Sequence, residues 1–401
     1  MMKRQTVILG GGASGLAAAV VAAKRGDSVT ILEKNDRVGK KLLATGNGRC
    51  NLANLNAPVY FGDATFAGDV LQHKPVNEVL HFFDSIGLPT HADSAGRVYP
   101  ACNQAAAVLD VFRVQLEQLS VNTQLNTRVT ALRQQADKWL VRTDHGDFSA
   151  DRVLVCCGGL AAPKLGAADA YSFLTGLGCR LIAPAPALSP LETEKSPIRG
   201  LSGLRLPAVL TLCGNGKPVA RTQGEVLFAD YGISGVCAMQ LARDAFVLLK
   251  QKQAVQLYID FSPTIGLIEQ RMERLAPSSP YENEEAVRSW LERRSSVVPS
   301  QDLLVGALPR LLRERLKETP FNKLPRMLCA YPLTVTGVRS FDQAQITQGG
   351  IDTSDFDPAN MQHRHLHGLY ACGEILNVDG DCGGFNLQFA FASGILAAEA
   401  N

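Results

Sequence analysis

Residues 7–54 read VILGGGASGLAAAVVAAKRGDSVTILEKNDRVGKKLLATGNGRCNLAN, and this stretch decides the fold. A β-branched and aliphatic run, Val7-Ile8-Leu9, precedes Gly10, Gly12 and Gly15 in G-x-G-x-x-G spacing. An alanine-rich segment of helical character follows, Gly26 closes it, and Val29 to Leu32 reads as a second strand ending at Glu33. In a chain with 36 glycines the spacing alone carries little. Its context carries more: a strand before, a helix after, and an acid 18 residues beyond the last glycine. Gly10 permits the tight turn, Gly12 lets the backbone approach a pyrophosphate, and Gly15 lets the helix pack closely on the strand. The helix start offers unpaired N–H groups and partial positive charge to phosphate. Glu33 is placed to accept hydrogen bonds from both hydroxyls of an adenosine ribose. The pattern predicts a dinucleotide-binding βαβ unit.

Outward from that unit, 401 residues allow two or three domains. Apolar residues at 46% and charged residues at 19% support large cores and argue against disorder. A net charge of +2 gives no global reason to expect nucleic acid or membrane partners. The ten cysteines include no C-x-x-C pair, the closest being adjacent Cys156-Cys157, so neither a zinc pattern nor a thioredoxin-like one is present. Scattered free thiols suit a reducing cytoplasm. Lys3-Arg4 before the apolar 7–23 run imitates a signal peptide, but the glycines, Ser14 and the following strand and acid mark the first βα unit. No other segment reads as a membrane span.

Helical periodicity is expected over 76–87 and 104–119, then short strands in TQLNTRVTALRQQ, KWLVRTD and DFSADRVLVCCGG. The last runs apolar into Gly158-Gly159, as a buried parallel strand does on reaching a ligand. Prolines crowd 181–197, which reads as the exit from the first domain. The expected division is 1–188 and 330–401 as two parts of one cofactor domain, 189–263 as an antiparallel or barrel-like insert, and 264–329 as a helical insert that includes IGLIEQRMERL. Re-entry is placed at Tyr331-Pro332, followed by the strand HGLYACGE and a helix entered from the glycines before Asn386.

Several constellations carry chemistry, each beside a plainer reading. ATGNGRCN, residues 44–51, has small residues, an arginine and free amides suited to anionic oxygens; otherwise it is a surface loop. Gly158-Gly159 and Gly373-Glu374 end apolar strands where ligands sit in open α/β sheets; otherwise they are ordinary turns. The helix from Asn386 points its dipole at something electron-rich, or simply caps the sheet. His363, His365 and His367 alternate, but an exposed loop explains them as well as a metal does, and no metal is expected. Residues 309–326 hold six basic and two acidic side chains, matching RNA phosphate or a solvated helix face. Tyr231, in GEVLFADYGISG, is either a proton donor reaching over a cofactor or a packing residue.

With these residues in hand, the chain resembles the BaiN/RdsA family of NAD(P)/FAD-dependent oxidoreductases, which includes aminoacetone-oxidase-like FAD-binding flavoproteins. The resemblance covers nearly the whole chain. It rests on GKKLLATGNGRCNLAN, GRVYPACNQAAAVLDVFR, GEVLFADYGISG and GLYACGEILNVDGDCGGFNLQFAFASG. It implies an α/β FAD-binding Rossmann-like (two-dinucleotide-binding-domain) fold, split in sequence by the barrel-like and helical inserts. By that resemblance Gly10, Gly12, Ser14, Gly15 and Glu33 hold the ADP half of FAD. Thr45, Gly46, Asn47, Gly48 and Arg49 lie along the pyrophosphate and ribityl chain, and Val129 touches adenine through its backbone. Gly158, Gly373 and Glu374 line the cofactor, Asn386, Leu387 and Gln388 meet the flavin ring, and Lys34 and Lys41 join the cofactor-binding set. The chain departs from related folds at Cys156-Cys157, where an A-T type pair is favoured, and at Cys372, where a larger apolar residue or alanine is usual.

The expected protein is a cytoplasmic FAD enzyme that takes hydride from a transiently bound NAD(P)H and reduces an activated, conjugated C=C bond of a small molecule. The alternatives are a flavin-dependent rRNA dihydrouridine synthase, an amine oxidase, and an FAD redox sensor without catalysis.

Overall fold

The computed structural model describes residues 3–165 and 170–401. It divides into two compact units, Met1–Ala185 with Ile346–Asn401, and Pro186–Gln345.

The first unit is built on five parallel strands in the order Leu369–Ala371, Arg152–Val155, Gln5–Leu9, Ser28–Leu32, Asn122–Gln124. Gln5–Leu9 lies at the centre, and Thr6 through Leu9 are all buried because strands flank it on both sides. The helix Ala13–Lys24 that follows is buried from Ser14 to Val20, so it is apolar all round rather than striped. It runs against the C-terminal helix Phe385–Glu399, and a Cβ on Gly394 would collide with the Ser14 carbonyl. Phe391 of that helix meets Phe83 edge-on at 4.9 Å and stacks on Phe112 at 6.3 Å. This aromatic cluster fastens helices Val76–Ser85 and Ala105–Gln118, both anticipated from periodicity, to the same core. An antiparallel meander, Val129–Gln135, Lys138–Thr143 and Gly146–Ala150, is joined to the sheet where Trp139 Nε1 donates to the His367 carbonyl at 3.0 Å.

The second unit is a closed antiparallel barrel of six strands. Going round, Arg205–Gly214 pairs with Val255–Asp260, then come Tyr331–Val338, Leu191–Thr193, Gly232–Ser234 and Lys217–Ala229, which returns to the first. The boundary read at 330 would have removed Tyr331–Val338, which pairs with Val255–Asp260 on one side and Leu191–Thr193 on the other. Without that strand the barrel would have two open edges. Helical residues of 264–329 share the barrel's core, Val287, Leu291, Leu312 and Leu328 clustering with Leu257 and Ile259. The barrel-like and helical parts are therefore one unit.

IGLIEQRMERL is not a helix. Gly266 sits at φ +73°, and Glu273–Leu275 instead pairs with Arg221–Gln223 as an added outer strand. The apolar spacing there serves a turn and an edge, a case of tertiary pairing overriding local periodicity.

Candidate functional site

The glycine turn follows the centre strand. Gly10, at φ +101°, donates its N–H to the Leu32 carbonyl at 2.9 Å, and a Cβ on it would stand 2.7 Å from the Cys156 carbonyl oxygen. A Cβ on Gly15 would run into the Gly10 carbonyl oxygen. Both glycines are therefore needed by the chain's own packing. Gly12 is different: its φ of −86° suits any residue, and nothing lies within 4 Å of where its Cβ would stand. No side chain caps the helix that begins here. An open face, free amide donors and a glycine the fold does not need are what a closely approaching anionic group requires, so the residues fit a dinucleotide pyrophosphate.

Glu33 is 7% exposed and already employed. Its Oε2 accepts from Gly11 N at 2.8 Å, and its Oε1 accepts from Asn35 N and Nδ2 at 2.9 and 2.7 Å. An ionised carboxylate has about four acceptor positions, so one, on Oε2, is left for a ribose hydroxyl. The Glu33 backbone donates to the Gln124 carbonyl and accepts from Thr127 N, both at 2.9 Å; Val129, two residues beyond Thr127, is half-buried, and Lys34 is exposed.

The loop after Lys41 is tightly bent: Gly46, Asn47, Gly48 and Cys50 all have positive φ. Thr45 Oγ1 donates to the Leu42 carbonyl at 2.7 Å, and Cys50 N donates to the Thr45 carbonyl at 3.0 Å. Cys50 is fully buried, and burial pushes its thiol up to about 12, against a hydrogen bond from Thr45. Lys41 Nζ pairs with Glu374 Oε2 at 2.8 Å, so its charge is matched within the protein. Glu374 Oε1 accepts from Thr347 N at 2.8 Å, while Thr347 Oγ1 accepts from Leu160 N and Ala161 N at 2.8 and 3.0 Å. A Cβ on Gly159 would stand 2.5 Å from Thr347 Oγ1 and 2.8 Å from Glu374 Oε1. The Gly158-Gly159 and Gly373-Glu374 turns thus converge with Lys41 in space. Thr347, which links them, has no sequence signal; it is one threonine in a strand. Gly373 also lies against Ser14, 3.1 Å from its Oγ at the Cβ position.

The C-terminal helix starts at Gly384, φ +106°, with no side-chain cap. Asn386 spends its amide on Gly380, accepting from its N at 2.8 Å and donating to its carbonyl at 2.7 Å. Gln388, 3% exposed, accepts from Asn54 N at 3.0 Å, and Leu387 is half-buried. What this helix start offers a ligand is therefore its first-turn N–H groups rather than the Asn386 and Gln388 side chains. Sequence reasoning missed the supports: Tyr60 Oη donates to the Phe385 carbonyl at 2.8 Å, and Asn54 Nδ2 to the Gly383 carbonyl at 2.7 Å.

Tyr231 belongs to the other unit. Its carbonyl accepts from Thr193 N at 3.0 Å, and its half-buried ring lies under the Arg339 guanidinium at 4.9 Å. In the 309–326 segment, Arg315 is engaged with the carbonyls of Pro197 and Ser196 at 3.1 and 2.8 Å, and Arg326 lies over Tyr281 at 4.1 Å. Arg310, Lys317 and Lys323 remain exposed.

The three histidines separate. His365 and His367 are exposed, whereas His363 is 6% exposed, and donor atoms of His363, Cys179 and Asp355 lie within 4.8 Å of one another. His363 Nδ1 accepts from the N–H groups of His365 and Leu366, both at 3.1 Å, so Nε2 carries the proton in the neutral ring. A cation would have to displace that proton or those two amides. Burial also pushes the Cys179 thiol up to about 11, with the Asp355 charge adding to the effect. Burial lowers the His363 value from 6.5, opposed by Asp355 and assisted by His365. The unfolded chain then takes up the proton first as pH falls. Its contribution to stability is complete above pH 6.5 and declines below that, towards the folded value. Urea midpoints are expected to be lower at about pH 5 than at about pH 7.5, with H363Q flattening the difference. An unchanged slope in H363Q would assign the effect elsewhere.

The model of the HI0933-like protein Rossmann domain matches residues 4–400. The chain belongs to the HI0933-like family. A 3-dehydro-bile acid delta(4,6)-reductase of Clostridium scindens is 35% identical, over 98% of this chain and 98% of that protein. A ribosomal RNA dihydrouridine synthase of Haemophilus influenzae is 26% identical, over 98% of this chain and 97% of that protein. Among solved structures, a 3-ketosteroid delta1-dehydrogenase from Sterolibacterium denitrificans shares the fold, with a TM-score of 0.51, 12% identity and 99% coverage of both chains. This HI0933-like chain has the Rossmann-like FAD-binding fold and is an oxidoreductase. Among its described residues no helix is long and apolar enough to cross a membrane.

Proposed function

We propose that this HI0933-like protein is a cytoplasmic reductase that binds FAD in the first unit, accepts hydride from NAD(P)H and reduces a C=C bond conjugated to a carbonyl. The observation that carries the cofactor part is Gly12, open to solvent at an uncapped helix start and beside Glu33. The full-length likeness to a bile acid delta(4,6)-reductase supports the choice of an activated alkene. FAD, when bound, supplies two-electron hydride chemistry. The chain's own residues bind and orient it: Gly10 to Gly12 at the pyrophosphate, Glu33 at the ribose, and Val129 at the adenine. Lys41, Thr347 and Glu374 hold the Gly158-Gly159 and Gly373 turns in register along it. The uncapped first-turn amides of Phe385–Glu399 would be available to stabilise the negative charge of a reduced flavin. With ten free cysteines, one of them exposed, a reducing compartment suits the chain.

The test is anaerobic. The purified yellow protein is expected to bleach with NADH or NADPH and to recover its colour when a 3-keto-4-ene steroid is added, much faster than with oxygen. Failure of both nicotinamides to bleach it would end the reductase reading. A second reading, uridine reduction in rRNA, draws on the Haemophilus influenzae relative and on exposed Arg310, Lys317 and Lys323. It expects salt-dependent RNA binding that weakens when those three are neutralised. Arg315 is a poor choice for that experiment, because its loss would free the Ser196 carbonyl and leave the Pro197 carbonyl to Tyr331 Oη alone.

A further inference from the structure

Three cations belong to the 41–54 segment and to the strand that pairs with its end. Two are matched by carboxylates: Lys41 by Glu374 at 2.8 Å, and Arg97 by Asp93 at 2.7 Å. The third is Arg49. Its guanidinium is exposed and has no carboxylate or hydrogen-bond partner among the described residues; its one contact is the face of Tyr99, 4.8 Å from the ring centroid.

Arg49 is nevertheless held in place. It follows three residues in left-handed conformation and precedes a fourth, and its N–H closes the turn onto the Gly46 carbonyl at 3.2 Å. Non-glycine residues in that conformation, here Asn47 and Cys50, collect at functional sites. Tyr99 is 3% exposed, lies against the His91 ring in a tilted arrangement at 6.1 Å, and shares one face of its strand with Arg97. That strand pairs with Ala53–Asn54. The Ala53 carbonyl oxygen and Asn51 Oδ1 stand 2.5 and 2.6 Å from where a Gly384 Cβ would be, which is why the helix must begin with glycine. An unmatched cation is thus mounted on a buried aromatic pad, in the loop that abuts an uncapped helix N-terminus. Both features stabilise negative charge.

We propose that Arg49 recognises the carbonyl oxygen conjugated to the substrate's C=C bond and stabilises the charge that develops on it, instead of serving as a ligand of FAD. This inference rests on the reductase reading. The reaction needs such a group. When hydride from the reduced flavin forms a C–H bond at the β carbon, the C=C π bond breaks and its electron pair passes to the carbonyl oxygen as an enolate. Protonation of the α carbon by water then restores the carbonyl, so the substrate gains one hydride, which carries both electrons, and one proton. A guanidinium aimed at that oxygen is worth more in the transition state than with the neutral ketone. A saturated ketone or an isolated alkene would not use it.

The test compares wild type with R49M and R49K by stopped flow. Each is pre-reduced with the nicotinamide and mixed with a 3-keto-4-ene steroid or, separately, with oxygen. R49M is expected to retain FAD and to be reoxidised by the enone about 100-fold or more slowly, as for loss of an oxyanion donor. Reoxidation by oxygen, which has no carbonyl, is expected to keep its rate, and R49K to recover part of the enone rate. Three results overturn the inference: enone reoxidation of R49M at the wild-type rate; purification of R49M without FAD, which makes Arg49 a cofactor ligand; or equal slowing with enone and oxygen. If wild type itself is bleached but no enone reoxidises it, the reductase reading fails, and this inference with it.

Discussion

Gly12→Ala is expected to fold like the wild type and to bind FAD at least about tenfold more weakly, a loss of about 1.4 kcal/mol. Gly15→Ala is expected to lose the fold around the first strand. The two glycines sit in the same motif, yet they answer to different neighbours. The space beside Gly12 is empty and its backbone conformation is open to all residues, so a methyl group costs the apoprotein nothing. That methyl would occupy the space a phosphate needs. At Gly15 the methyl meets the Gly10 carbonyl oxygen, which itself belongs to the turn that positions the helix. Overpacking of this kind costs about 3 kcal/mol where neither side can give way. The thermal midpoint of the apoproteins and a fluorescence titration with FAD separate the cases. Unaltered FAD affinity in G12A would mean that no anionic group approaches this turn.

Asp27→Ala should destabilise the first unit by about 3 to 5 kcal/mol, although Asp27 has no part in the site. Its carboxylate is 5% exposed and takes Arg4 Nε at 3.0 Å and Thr6 Oγ1 at 2.7 Å, with Arg152 Nη1 at 3.7 Å. Arg152 is 3% exposed, and burial lowers its value from the usual arginine range. Its other anchors are the Ala397 carbonyl and the face of Tyr370 at 4.5 Å. Removing Asp27 leaves a buried guanidinium without its counter-charge. Removing Arg152 as R152M substitutes an apolar stem, while Asp27 keeps Arg4 and Thr6. The double variant D27A/R152M is therefore expected to be more stable than D27A alone, a coupling that a double-mutant cycle reads directly. The two tryptophans fall in different units, Trp139 in the first and Trp290 in the second, so a W290F background reports the first unit by itself. A loss below about 1 kcal/mol in D27A would show that Arg152 is solvated rather than buried.

What the sequence by itself determined lies within short reach along the chain. Gly10, Gly12, Gly15 and Glu33 were legible because turn, helix start and strand end are local requirements, set by backbone conformation over a few residues. The aliphatic runs of the parallel strands and the helices near 76 and 105 were legible for the same reason, since burial imposes a period. The tertiary structure alone decided what depends on strand order. Closure of the barrel by Tyr331–Val338 and the edge pairing of Glu273–Leu275 follow from neighbours far away in the chain. So do the meeting of Lys41, Thr347 and Glu374, the burial of Asp27 with Arg152, and the seating of Arg49 on Tyr99. A charged side chain reads the same in a sequence whether its partner is water, a carboxylate or an aromatic face. Only packing assigns the partner, and the partner determines whether that charge is spent on the fold or left for a ligand.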